Sequence, residues 1–111
     1  NIDGAKKLKD FLKINKIKPK ILFGMLNNKK INIFLKTLKN EISYVLAIKI
    51  PGENNSFNTN DIAKYCEKLS INCIEIENIN EALKYIEKSN ERSFLITGSL
   101  YLVGKVRTKF L

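Results

Sequence analysis

The chain has no histidine, no tryptophan and only two cysteines, Cys66 and Cys73, among its 111 residues. Without histidine, a Ser-His-Asp type nucleophilic triad cannot be built, and the usual nitrogen ligand of a zinc site is missing. The cysteines form no Cys-x-x-Cys pair, so disulfide and metal readings are both weak and no metal ligand is assigned. Long apolar runs are absent as well. The stretch from Tyr44 to Ile48 is far short of the roughly 20 residues that span a bilayer, and no charged-then-apolar export signal opens the chain. The expected location is therefore cytoplasmic, with no membrane partner. No Gly-x-x-x-x-Gly-Lys-Ser/Thr phosphate loop occurs, so ATP hydrolysis is not assigned to this chain by itself. No carboxylate pair stands at a convincing strand end, which leaves catalytic residues unassigned.

What is present is the composition of one folded domain: 44% hydrophobic and 28% charged residues in a length typical of a single core. The formal charge of +9 raises a nucleic-acid reading, because lysine and arginine neutralise phosphates and release counterions. Its distribution speaks against it. The excess is nearly all lysine, spread through Lys6, Lys7, Lys9, Lys13, Lys16, Lys18 and Lys20 and along later helices. The four tyrosines lack the spacing of a base-stacking platform. Solvated helix faces account for this pattern, and no nucleic-acid partner is expected.

Hydrophobic periodicity organises the chain into repeated strand, loop and helix units. After Asp3 as N-cap, Ala5, Leu8, Phe11 and Leu12 share a helical face, and Asn15 and Pro19 end that helix. Lys20 to Gly24 reads as a buried strand, followed by Ile31, Phe34, Leu35 and Leu38 at helical spacing. Residues 42–50 form an almost continuously apolar strand; a loop from Pro51 to Phe57, the one segment that looks mobile, leads to a helix carrying Ile62, Tyr65, Cys66 and Leu69. Cys73 to Glu77 makes a third strand, with Asn80 as cap and Ile79, Leu83 and Ile86 facing inward. A fourth strand at residues 93–97 leads through Gly98 and Ser99 into a last helix with Val103, Val106 and Phe110 inward. Strands alternating with amphipathic helices require crossovers and parallel pairing. The expected fold is α/β, Rossmann-like and doubly wound, with a mainly parallel sheet and helices on both faces.

Ligands of open α/β sheets bind beyond the carboxyl ends of strands, where helix N-termini offer unpaired N–H groups. Two loops fit this place. In Phe23-Gly24-Met25-Leu26-Asn27-Asn28-Lys29, a glycine permits a close turn and a lysine precedes a helix. In Thr97-Gly98-Ser99, two hydroxyls and a glycine lie between strand and helix. A lysine together with a serine at a helix N-terminus suits a carboxylate or phosphate. Taken singly, each also reads as an ordinary feature: Ser99 as a helix cap, and Lys29 as one of eighteen exposed lysines.

The run Ile96-Thr97-Gly98-Ser99-Leu100-Tyr101-Leu102-Val103-Gly104-Lys105-Val106-Arg107 resembles the closing motif of folylpolyglutamate and dihydrofolate synthases, ligases of the Mur superfamily. The segment from Phe23 to Lys29 resembles the family's Gly-Met-Leu-x-x-Lys, and Asn1-Ile2-Asp3-Gly4-Ala5 resembles the end of its Asp-Gly-Ala-His-Asn-Pro-x-Gly segment. The three stand in family order and cover the chain. Departures are Ile2 for a common proline, Asn28 where Asp is frequent, and Lys30 for an acidic residue.

The resemblance implies that residues 1–111 are the carboxy-terminal, glutamate-ligase domain of a Mur-type ligase, with the amino-terminal ATP-binding domain absent. In such ligases ATP phosphorylates a carboxylate, and the amino group of L-glutamate displaces the phosphate. ATP and Mg²⁺ would be bound mainly by the absent domain, and the fragment alone would hold no cofactor and be inactive. The implied substrates are L-glutamate and folate or dihydropteroate. Carried onto this sequence, Lys29 and Ser99 are candidates for the glutamate or the transferring phosphate, and Asn1 for the nucleotide side of the cleft. The start within a motif, without methionine, is expected of a fragment; the absence of the strand that normally precedes that motif would leave a sheet edge unpaired. The alternatives are a basic Rossmann-like nucleotide- or nucleic-acid-binding module and a degenerate ligase remnant.

Overall fold

The computed structural model describes residues 2–16, 18–88 and 94–98, the side chains of residues 2, 3, 86, 87 and 94–98 excepted. Four strands pair in parallel: β1 (Lys20–Gly24), β2 (Tyr44–Ala47), β3 (Cys73–Glu75) and β4 (Phe94–Gly98), in the order β3-β2-β1-β4. Between and before them lie α1 (Ile2–Ile14), α2 (Ile31–Leu38), α3 (Thr59–Lys68) and α4 (Ile79–Lys88), with a 3-10 turn at Lys39–Glu41. The expected parallel α/β fold is the observed one.

The strands alternate their buried side chains between two apolar layers. Ile21, Phe23, Val45 and Ala47 point to the side covered by α1, α2 and α3, where they meet Ala5, Leu12, Leu35, Leu38, Ile62 and Cys66. Leu22 and Leu46 point to the opposite side and meet Ile79 and Ala82 of α4. Burial on both faces is why β1 and β2 read as continuous apolar runs. Helix α2 follows its spacing fully, since Ile31, Phe34, Leu35 and Leu38 are all buried. Lys20, at the amino end of β1, places its ammonium 5.7 Å from the Tyr44 ring centre and 5.5 Å from that of Tyr85, so its charge lies against aromatic faces.

Four local expectations are corrected. Asp3 lies inside α1, which already runs from Ile2, and is not its cap. Phe11 is 56% exposed, because it stands a step of about 100° off the Leu8/Leu12 line that faces the sheet. The strand expected over 42–50 forms only over Tyr44–Ala47; the Ile48 N–H still donates to the Phe23 carbonyl at 2.9 Å, and Ile48 and Ile50 are buried in the α4-side layer. Finally, α4 is capped by Asn78: its Oδ1 accepts the Glu81 N–H at 2.9 Å, while a Glu81 carboxylate oxygen accepts the Glu77 N–H at 3.2 Å. Asn80 falls within the helix it was expected to open. The last expected helix, with Val103, Val106 and Phe110, lies outside the described residues.

Candidate functional site

The strand order places a topological switch at β1. From β1 the chain steps outward through β2 to β3, then crosses to pair β4 on the other side of β1. Loops leaving two such neighbours diverge, and the crevice between them is where open α/β sheets take ligands. Here the neighbours are aligned Phe23↔Thr97 and Gly24↔Gly98, so both glycines reach the carboxyl edge at the same level.

The loop after Gly24 is shaped by its own backbone. The Lys29 N–H donates to the Leu26 carbonyl at 3.1 Å, closing a turn that leaves Lys29 exposed just ahead of α2. Lys30 occupies the N-cap position of α2 in a non-helical conformation (φ −90°, ψ 84°), and no side chain caps the helix. The first turn carries no acidic residue. Two lysines and the positive end of a helix dipole therefore lie together at this corner, an arrangement favouring an anion.

A second loop is fastened to the first. The Asn27 N–H donates to the Asn55 carbonyl at 2.7 Å and the Phe57 N–H to the Met25 carbonyl at 2.9 Å, with an antiparallel bridge between Leu26 and Ser56. The buried Ser56 hydroxyl accepts the Ile50 N–H at 2.9 Å and donates to the Phe57 carbonyl at 3.1 Å. The Pro51 to Phe57 segment, expected to be mobile, is thus tied at its base to the lysine loop; Gly52 takes the positive φ of 78° that its turn needs. Beyond β2 and β3 a cleft of about 560 Å³ opens between this segment and the start of α4, lined by Lys49, Glu53, Asn54, Glu77 and Asn80 among others. The carboxyl edge of the sheet thus carries the Lys29 corner beside β1 and, beyond β2 and β3, a separate cleft whose lining also includes Ile50, Pro51 and Ile79.

Of the three residues singled out in the sequence, Lys29 is at this rim. Ser99 and Asn1 lie outside the described residues; Gly98, which precedes Ser99, sits beside Gly24. Sequence reasoning missed Ser56 and its hold on two loops. A serine within a polar loop between apolar runs is the only local signal, and it does not distinguish a buried anchor from a solvated turn. Among the described residues no three His, Cys, Asp or Glu side chains cluster to hold a metal ion, and no helix is long and apolar enough to cross a membrane.

A Rossmann-like domain with an anion-favouring corner at its switch point is the class these features define. Solved structures make it narrower. The folylpolyglutamate synthase of Thermotoga maritima superposes with a TM-score of 0.80 at 29% identity, over 97% of this chain and 25% of that one. The Mycobacterium tuberculosis folylpolyglutamate synthase complexed with ADP gives a TM-score of 0.82 at 17% identity, over 99% of this chain and 28% of that one. The bifunctional folylpolyglutamate synthase/dihydrofolate synthase of Yersinia pestis, complexed with AMPPNP and Mn ion, gives 0.82 at 17%, over 99% and 26%. No family model matches the chain, and no curated protein matches it by sequence. The chain spans about a quarter of the length of the structures it resembles. The resemblance to the carboxy-terminal domain of folylpolyglutamate synthase/dihydrofolate synthase, carried in the sequence by three motifs, holds along the whole fold.

Proposed function

We propose that the chain works as the carboxy-terminal domain of an ATP-dependent ligase that adds L-glutamate to dihydropteroate, to folates, or to both. The observation that carries this reading is the alignment of Gly24 with Gly98. This supports the reading because two segments whose sequences resemble motifs of one enzyme family, far apart in the chain, then meet on adjacent strands at the edge where this fold takes ligands.

In the proposed reaction a substrate carboxylate attacks the γ-phosphorus of ATP, ADP leaves, and an acyl phosphate forms. The glutamate amine then attacks the acyl carbon, and phosphate departs as the amide bond closes. ATP and Mg²⁺ supply the activation and are assigned mainly to the amino-terminal domain, with Asn1 toward the nucleotide. The part of this chain is to hold and orient. Lys29 and the N-terminus of α2 offer positive charge to a carboxylate of glutamate or to the transferring phosphate, and Ser99, next in sequence after Gly98, is assigned a hydroxyl for the same anion. Holding the amine near the acyl carbon lowers the barrier by proximity, and domain closure would keep water from the acyl phosphate. The whole site needs both domains.

Two outcomes are expected. The isolated chain, free of contaminating enzyme, ligates no glutamate and hydrolyses no ATP; clear turnover by it would refute the division of labour. In the full-length enzyme, Lys29→Ala raises the glutamate KM roughly tenfold, the size of one charge-assisted hydrogen bond, and leaves the ATP KM nearly unchanged. An unchanged glutamate KM would remove Lys29 from the site. If the chain were a nucleic-acid module instead, it would bind polynucleotide with an affinity falling steeply as salt rises.

A further inference from the structure

Past Ala47 the ladder between β1 and β2 makes one more bond, from the Ile48 N–H to the Phe23 carbonyl at 2.9 Å. Two residues further on, the same ladder would carry the Ile50 N–H to the Met25 carbonyl, because the bonds of a parallel pair recur at that interval. Neither group is used in that way. The Met25 carbonyl accepts the Phe57 N–H at 2.9 Å, and the Ile50 N–H donates to the Ser56 hydroxyl oxygen at 2.9 Å. Ser56 and Phe57 thus take over the two groups with which the ladder would have continued.

The consequence is a change of neighbour for the chain that leaves β1. Beyond Gly24 it pairs with the returning loop: Leu26 and Ser56 form an antiparallel bridge, flanked by the bond from Phe57 to Met25 and by that from the Asn27 N–H to the Asn55 carbonyl at 2.7 Å. Lys29 stands two residues after Asn27, and its own N–H closes back onto the Leu26 carbonyl. The turn that presents Lys29 is therefore built on the residue that Ser56 bridges.

Ser56 is 6% exposed, and its hydroxyl also donates to the Phe57 carbonyl at 3.1 Å, so both its hydrogen bonds are made inside the protein. Without that hydroxyl the Ile50 N–H, in a residue 1% exposed, loses its acceptor, which is costly for a buried backbone donor. The Met25 carbonyl is the acceptor that the ladder offers in its place. Taking it displaces the Phe57 N–H and slides the loop off Leu26. We propose that Ser56 is the positioning residue of the anion-favouring corner: its hydroxyl keeps residues 55–57 paired with residues 25–27 and so holds Lys29 in place, without itself touching a ligand. The inference rests on the function proposed above for Lys29 and adds the residue that controls it.

Two measurements test it. In the folded chain, amide hydrogen exchange followed by NMR reads the loop bonds directly. Ser56→Ala should speed exchange of the Asn27 and Phe57 amides about tenfold or more, the scale of one lost hydrogen bond, while the Val45 amide, bonded to the Asn72 carbonyl, keeps its protection. Ser56→Thr, which retains the hydroxyl, should exchange as the wild type does. Unchanged exchange at Asn27 and Phe57 in Ser56→Ala would overturn the proposal, and so would equal acceleration at Val45, which would make Ser56 a residue of global stability only. In the full-length protein, Ser56→Ala should raise the glutamate KM with the ATP KM nearly unchanged, and should add little to the effect of Lys29→Ala, because both changes act through one ammonium group. An effect of Ser56→Ala that is the same with and without Lys29 would overturn the positioning role. A glutamate KM unmoved by Lys29→Ala would instead refute the ligase reading of this corner, with the hold of Ser56 on the loop still decided by exchange.

Discussion

Replacing Phe23 by alanine should lower the stability of the chain by about 3–5 kcal/mol, the range for emptying an aromatic position in a packed core. Phe23 is fully buried in the central strand β1, with Ala47 aligned on one side and Thr97 on the other. Its ring stacks on Phe34 of α2, with centroids 5.4 Å apart and planes 23° from parallel. The hole would therefore open between the sheet and the helix whose N-terminus carries the lysine corner. Neighbours cannot fill it readily, because Ile21, Leu35 and Val45 are themselves fully buried. A domain of this size has about 5–15 kcal/mol in total, so much of its reserve would be gone. Urea unfolding measures this directly: the midpoint should fall while the slope, set by the surface exposed on unfolding, stays constant. A loss below about 1 kcal/mol, the range of ordinary surface substitutions, would mean that this layer is far looser than its burial indicates.

The same residue shows what a sequence can and cannot convey. That Phe23 lies in a buried strand is legible, since an apolar run of this length, bounded by Lys20 and Gly24, has few other uses. Helix α2 is equally legible, because Ile31, Phe34, Leu35 and Leu38 fall on one face and nothing competes for them. Legibility fails where a second process intervenes. Ile48 and Ile50 continue the apolar run of β2, yet apolarity reports burial and not strand extent; the strand ends at Ala47, the Ile48 N–H makes one more bond to Phe23, and the Pro51–Gly52 turn follows. Asn78 and Asn80 are both acceptable caps by residue type, and the reach of Glu81 back to Glu77 decides between them. Phe11 has the apolarity of a core residue and the wrong angle for one.

The candidate site depends still more on information that is not local. The two motifs at Gly24 and Gly98 can be picked out as loops, but their adjacency follows from the strand order β3-β2-β1-β4, which no local pattern encodes. Ser56 acts through loop-to-loop hydrogen bonds that exist only once both loops are closed. Strand and helix identity come from nearest neighbours along the chain, whereas the site comes from neighbours in the sheet.

Ser99 is where these two kinds of information meet, and its substitution carries the largest functional effect expected. If the proposed function holds, Ser99→Ala in the full-length protein should weaken the use of glutamate about ten- to a hundred-fold, with folding and ATP affinity nearly intact. The magnitude corresponds to one hydrogen bond to a charged group, about 1.5 to 3 kcal/mol. The reason is its place in the chain: it follows Gly98, whose alignment with Gly24 sets this strand end beside the loop bearing Lys29. A cap is the competing account, because Ser is also a good residue to begin a helix, and losing a cap costs about 1 kcal/mol of stability and no specificity. The two accounts diverge in one set of measurements on one variant: glutamate KM, ATP KM and melting temperature. A raised glutamate KM at unchanged melting temperature supports the contact, and the double variant with Lys29→Ala should then lose less than the product of the two single effects, since both residues address one ligand. A lowered melting temperature with unchanged glutamate kinetics would make Ser99 a cap and leave the anion to Lys29 and the N-terminus of α2.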